Sequence, residues 1–184
     1  MLIGITGQIG SGKTTASRYL CNHWSFKEYM MAQPLKDIAK IFGFNDSQLY
    51  GTQAQKLKTH PQWGISAREF LQKVGTDIFR DKLPEAIPDM KIEKSIWCDL
   101  FKLKYDKGVS TVVSDIRFLD EAQTIKELGG IIIRIERENL DSYTHRSEIE
   151  MQQIKPDFSV NNNGNIQHLY EELDKILINK LGAF

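Results

Sequence analysis

The stretch ITGQIGSGKTTAS, residues 5–17, decides the fold. Within it, Gly7-Gln8-Ile9-Gly10-Ser11-Gly12-Lys13-Thr14 fits G-x-x-x-x-G-K-[ST] at every fixed position. Gly7 and Gly12 permit a backbone turn that points successive N–H groups at a phosphate. The helix opening near Lys13 adds its positive dipole end. In this pattern Lys13 reaches the β and γ phosphates, and Thr14 can offer its hydroxyl to Mg²⁺. The context fits: LIGIT (2–6) is an apolar run that reads as a buried parallel strand, and GKTTASRYLCNHW reads as a helix.

Moving outward, FKEYMMA (26–32) reads as a second strand and PLKDIAKIFGF as a helix with Pro34 in its first turn. Residues 45–64 are polar, with His60-Pro61 and Gly64 as breakers. Residues 66–83 read as one long helix, opened by the capping box Ser66…Glu69 and ended by Pro84 and Pro88. KIEKSIWCDLFKLKYDKG reads as an amphipathic helix closed by Gly108. STVVSD (110–115) and IIIRIER (131–137) are core strands, with the helix FLDEAQTIKELGG between them. Residues 138–157 are charged and include a short helical stretch. FSVNNNG (158–164) is a strand running into a turn, and NIQHLYEELDKILINKL closes the chain as a helix. Strands alternating with helices predict an α/β fold with a parallel sheet. From about 34 to 108 the chain shows helices and no strand. An insertion of that kind over the carboxyl edge of a parallel sheet builds a binding site. The expected division is one domain, with core 1–33 and 109–184, a helical insertion at about 34–108 and a lid at about 138–157.

The 184 residues suffice for one such domain and not for two. Lys plus Arg and Asp plus Glu balance at 24 each, so no basic surface is offered to a nucleic-acid polymer. A single nucleotide needs only a local basic pocket. Cys21 and Cys98 have no close pair and no metal-ligand spacing, which suits thiols in a reducing compartment. No apolar run approaches a membrane span, and MLIGITGQIG has no basic segment ahead of an apolar one. The expectation is a cytoplasmic protein with no membrane partner.

Four further stretches carry candidate chemistry. In VVSDIRFLDE (112–121) an apolar strand ends in Asp115, the shape of the second motif of phosphate-loop enzymes, whose carboxylate organises the metal. Arg117 alternates past it, and Glu121 follows as either a site residue or a helix cap. In SAREFLQKVGTDIFR, Arg68, Gln72 and Thr76 fall four apart, one polar stripe along a helix that is either solvated or functional. Gly75 costs that helix about 1 kcal/mol against Ala, which calls for a packing or ligand-approach reason. Arg68 suits bidentate phosphate binding, and Gln72 could read a base edge. In RIERENLDSYTHRSE (134–148), Arg137 and Arg146 fit a lid that brings arginines to a transferring phosphoryl group. Arg134 lies within the strand and His145 reads as structural. NNNG (161–164) is either an ordinary turn or the border of an adenine site, through Asn163 and Gly164. Trp63 and Trp97 read as packing residues, with base stacking as the alternative for Trp97.

With these motifs in order, the chain resembles the deoxynucleoside monophosphate kinases of bacteriophages and large DNA viruses, in the P-loop nucleoside-monophosphate-kinase-like group. The resemblance rests on GQIGSGKTT, on R-x-x-x-Q-x-x-G-T at 68–76, on SDIRFLDE at 114–121, on HRSE at 145–148 and on NNNG. It implies a P-loop NTPase three-layer fold with five parallel strands. It implies Gly10, Ser11, Lys13, Thr14 and Thr15 at the phosphates of ATP and the metal, with Thr14 and Asp115 nearest Mg²⁺. It implies Arg68, Gln72, Gly75 and Thr76 at the acceptor nucleotide, with Asp115, Arg117, Glu121 and Trp97 lining that site. Glu69 stands where some relatives carry a basic residue, which shifts the acceptor phosphate onto Arg68 and Arg117. The implied activity is ATP- and Mg²⁺-dependent phosphorylation of (deoxy)nucleoside monophosphates, in the host cytoplasm, by an enzyme whose viral relatives commonly form homodimers. Two alternatives stay open: another small-molecule kinase of the group, acting on phosphomevalonate or dephospho-coenzyme A, and a non-catalytic nucleotide switch.

Overall fold

β1 (Leu2–Thr6) has no exposed residue, as an apolar run at the centre of a parallel sheet requires. The structure is a computed structural model that describes residues 1–140 and 144–181. In chain order β1 is followed by α1 (Lys13–Trp24), β2 (Lys27–Tyr29), α2 (Gln33–Ile41), α3 (Asp46–Tyr50), α4 (Gln53–Leu57), α5 (Ala67–Gln72), a π-helix (Lys73–Lys82), α6 (Leu83–Ala86), α7 (Ile96–Lys104), β3 (Thr111–Val113), α8 (Leu119–Glu127), β4 (Ile131–Glu136), α9 (Arg146–Gln153), β5 (Phe158–Asn161) and α10 (Ile166–Leu181). These elements form two compact units, Met1–Met30 with Tyr105–Phe184, and Met31–Lys104.

The first unit holds a five-stranded sheet, all parallel, in the order β2-β3-β1-β4-β5. On one face Ile3 and Ile5 meet Ala16 and Leu20 of α1 and Leu169, Leu173 and Leu177 of α10. On the other face α8 packs against the sheet, its Ile125 lying 3.4 Å from where a Cβ at Gly4 would be, beside the Ile132 side chain of β4. Helices thus cover both faces, the three-layer α/β arrangement expected. The strands are shorter than the sequence suggests: β2 covers only residues 27–29 and β3 ends at Val113.

The second unit is helical, around Ala39, Phe44, Leu49, Ala67 and Phe70. A neighbouring cluster joins Leu35, Ile96 and Trp97. Three stretches differ from expectation here. The polar stretch 45–64 contains α3 and α4, each started by a capping box, Asn45 with Gln48 and Thr52 with Gln55. The helix from Ser66 turns into a π-helix at Lys73 and runs through Pro84 to Ala86. Pro84 is tolerated because it sits in the first turn of α6, where its missing N–H costs least. Helix α7 starts only at Ile96, because the Ser95 hydroxyl accepts the Cys98 N–H at 3.4 Å and sets the cap there.

Two tyrosines of the first unit couple this fold to alkaline pH. Burial, reinforced by the Asp174 carboxylate that accepts its hydroxyl at 2.7 Å, pushes Tyr19 up to about 12. Burial, then the charge of Asp115, pushes Tyr29 up to about 12 as well. Both folded values lie above the ordinary tyrosine value of 10.0, so the stability they contribute is complete below that pH and is lost as pH rises through about 12. The urea midpoint is therefore expected to fall across this window. The fall should be shallower in a Tyr19→Phe, Tyr29→Phe variant, and an identical fall would refute the linkage.

Candidate functional site

The glycine loop sits where β1 gives way to α1. Gly7, Gly10 and Gly12 have φ of +138°, +86° and +107°, the left-handed region that side chains avoid. A Cβ at Gly7 would strike the Ile135 carbonyl oxygen of β4, and one at Gly12 would strike the Asn162 amide. Lys13 Nζ donates to the carbonyls of Gly7 at 2.6 Å and Gln8 at 2.7 Å, so its charge is held over the loop. The Ser11 hydroxyl is fully buried and has no hydrogen-bond partner among the described residues. Thr14 is exposed and Thr15 half-buried at the start of α1.

Asn162 is a residue the sequence reading passed over. Its amide donates to the Ser11 carbonyl at 2.8 Å and ties the end of β5 to the loop. Asn163 accepts the Glu138 N–H at 2.8 Å, linking the same turn to the chain just after β4. Gly164 lies exposed in that turn. A cleft of about 240 Å³ opens between Gly7, Gln8, Arg134, Arg137, Met151 and Gln152. It brings Arg137, exposed past the end of β4, beside the glycine loop.

Asp115 lies two residues beyond β3, and its charge acts on Tyr29 at the end of the neighbouring β2. Arg117 follows, ion-paired to Glu148 of α9. Glu121 is 3% exposed and accepts the N–H groups of Arg117 at 2.8 Å and Phe118 at 3.2 Å. As the N3 residue of α8 it closes the helix's N-terminal turn, the capping alternative offered for it in the sequence. Arg134 is a cap too: its Nη2 donates to the carbonyls of Met151 and Ile154 at the end of α9. His145 caps the other end, accepting the Ser147 N–H at 3.2 Å. Arg146 pairs with Glu150 at 2.7 Å and lies 5.9 Å from the Phe118 ring centre. Residues 141–143 of the expected lid lie outside the described residues. The remainder from α9 onward is anchored rather than loosely packed, with Met151 and Ile154 each 2% exposed.

In the second unit Arg68, Gln72, Gly75 and Thr76 lie along one continuous helical run from α5 into the π-helix. Arg68 donates to Gln53 of α4. Gly75 has a packing reason: a Cβ there would lie 2.5 Å from Leu35 Cδ2. Its carbonyl accepts the Trp97 indole N–H at 3.0 Å. Trp97 is buried against Phe79, ring centres 5.5 Å apart, so it belongs to the core of this unit and not to a base-stacking surface. Trp97→Phe is expected to lower stability by about 1–2 kcal/mol, through the lost indole packing and its hydrogen bond to the Gly75 carbonyl, with acceptor KM unchanged. A raised KM at unchanged melting temperature would return Trp97 to the site. Trp63 is half-exposed, its indole donating to the Phe42 carbonyl at 2.6 Å. Arg80, buried on the π-helix, continues the spacing 68–72–76 by one more step of four, a signal the sequence offered and the reading missed.

Two solved structures share this fold. Dephospho-CoA kinase from Campylobacter jejuni superposes with a TM-score of 0.51 at 15% identity, over 100% of this chain and 98% of that one. Shikimate kinase from Aquifex aeolicus superposes with a TM-score of 0.50 at 15% identity, over 100% of both chains. With the loop 7–14 in place, the architecture is that of the P-loop kinases. An inferred deoxynucleotide monophosphate kinase of Acanthamoeba polyphaga mimivirus is 42% identical over 183 residues, 94% of each chain. The deoxynucleotide monophosphate kinase of Escherichia phage RB69 is 26% identical over 62% of this chain and 45% of its own length. The sequence profile of the deoxynucleotide monophosphate kinase family matches residues 41–173. The chain belongs to that family, and its chemistry is phosphoryl transfer.

Proposed function

We propose that this protein transfers the γ-phosphoryl group of ATP, with Mg²⁺, to a deoxynucleoside 5′-monophosphate, giving the diphosphate and ADP. The observation that carries the reading is the loop 7–14, with its three positive-φ glycines, the Lys13 ammonium and the buried, unpartnered Ser11 hydroxyl, in a chain of this family. The loop offers backbone N–H groups and one cation to a polyphosphate. No cluster of three or more metal-ligating side chains exists among the described residues. Mg²⁺ is held by one or two protein oxygens together with substrate phosphates, and Thr14 and Asp115 would supply them here. The ion, when bound, neutralises charge on the β and γ oxygens.

The transfer needs no protein nucleophile. A phosphate oxygen of the acceptor attacks the γ-phosphorus, and the bond to the β–γ bridging oxygen breaks, leaving ADP. Lys13, Arg117, Arg137 and Arg146 oppose the charge that develops on the transferring group. In the second unit, Arg68 holds the acceptor's phosphate as a two-pronged donor, while Gln72 and Thr76 address its nucleoside. The test is ADP formation from Mg-ATP with the four dNMPs, the four NMPs, phosphomevalonate and dephospho-coenzyme A offered singly. Turnover with one or more dNMPs is expected. Turnover with a non-nucleotide acceptor alone would keep the ATP half and overturn the roles of Gln72 and Thr76.

A further inference from the structure

Arg117 is gripped twice. Its backbone N–H is held by Glu121, reaching back from the first turn of α8. Its guanidinium is paired with Glu148, reaching across from α9. Both carboxylates are buried: Glu121 is 3% exposed, and the Glu148 side chain 4% against 32% for that of Arg117. A carboxylate this deep must be met by donors, and Glu121 is met by backbone N–H groups while Glu148 is met by the Arg117 guanidinium. The helix that delivers Glu148 is anchored at its C-terminal end, where Arg134 Nη2 from β4 reaches its last carbonyls and Met151 is 2% exposed. That anchorage holds the Glu148 carboxylate in place for the Arg117 guanidinium to meet. A guanidinium is a planar fork, so engaging one edge sets the plane of the whole group.

We propose that Glu148 is a positioning residue for phosphoryl transfer, fixing the plane of the Arg117 guanidinium against the group being transferred. The proposal rests on the role assigned to Arg117 above. It differs from a mere tie between α9 and the β3–α8 connection, because it requires the effect of Glu148 to pass through Arg117.

The test is a double-mutant cycle with ADP formation as readout. Glu148→Gln keeps the shape and a hydrogen bond but removes the charge. It is expected to lower kcat by about 30-fold with KM for ATP within about twofold, and in an Arg117→Ala background the same change should alter kcat by less than about twofold. Glu148→Asp, which keeps the charge but withdraws it by one methylene, should show a smaller loss and serves if the glutamine variant fails to fold. Equal losses in both backgrounds would assign Glu148 a structural role and overturn the proposal. So would undiminished kcat in a folded Glu148→Gln protein. Undiminished transfer by Arg117→Ala alone would instead remove Arg117 from the reaction, and the proposal with it.

Discussion

Lys13→Ala is expected to abolish phosphoryl transfer, chiefly by removing ATP binding. The ammonium is the one side-chain cation of the loop 7–14, held 2.6 and 2.7 Å from two of its carbonyls. Those contacts place it without help from a nucleotide, so its charge is already positioned when the polyphosphate arrives. Losing a preorganised charge of this kind costs about 10²–10³ in kcat, and the binding loss compounds it. Calorimetric titration with Mg-ATP separates the two effects. An alanine variant that binds ATP with wild-type affinity would show that Lys13 acts only in the transition state. One that also transfers at the wild-type rate would remove it from the site.

Arg68→Ala is also expected to abolish transfer, from the acceptor side. Its expected signature is a rise of about 100-fold in KM for the monophosphate with ATP affinity unchanged, because bidentate charge-assisted bonds to a phosphate are strong and not replaced by water. Arg68→Lys should recover little, since a point charge does not reproduce the fork. Gln53, which accepts from Arg68 in the second unit, would lose a partner but no charge, so melting temperature should scarcely move. An alanine variant with unchanged acceptor affinity would exclude Arg68.

The ATP half was far more legible in the sequence than the acceptor half. A glycine loop is local: eight consecutive residues carry their own geometry, and the positive φ values at Gly7, Gly10 and Gly12 are what glycine at those places announces. Residues whose role depends on what faces them were read less well. Glu121 stood open between a site carboxylate and a cap, and it caps; Trp97 stood open between packing and a base, and it packs, held by Gly75. Asn162 and Glu148 were missed because their partners, Ser11 and Arg117, lie 151 and 31 positions away in the chain. No spacing rule spans such gaps. The short helices α3 and α4 are a different case: their capping boxes stand in the sequence, but a polar composition was allowed to outweigh them.

The π-helix at Lys73–Lys82 bears on how this second unit can change. Its hydrogen bonds close i→i+5 rings, one residue wider than those of an α-helix. The segment thus stores spare length between α5 and α6. Deleting one residue there can be absorbed by tightening to α geometry. The same deletion in the middle of α10 would swing Leu173 or Leu177 out of the core by about 100°. A lineage can therefore trade a residue in or out of this helix and re-aim Thr76 and Arg80 relative to Arg68 and Gln72. The stripe proposed for the acceptor would then be adjustable by insertion and deletion as well as by substitution, a route to new nucleotide preference that leaves the rest of the chain untouched.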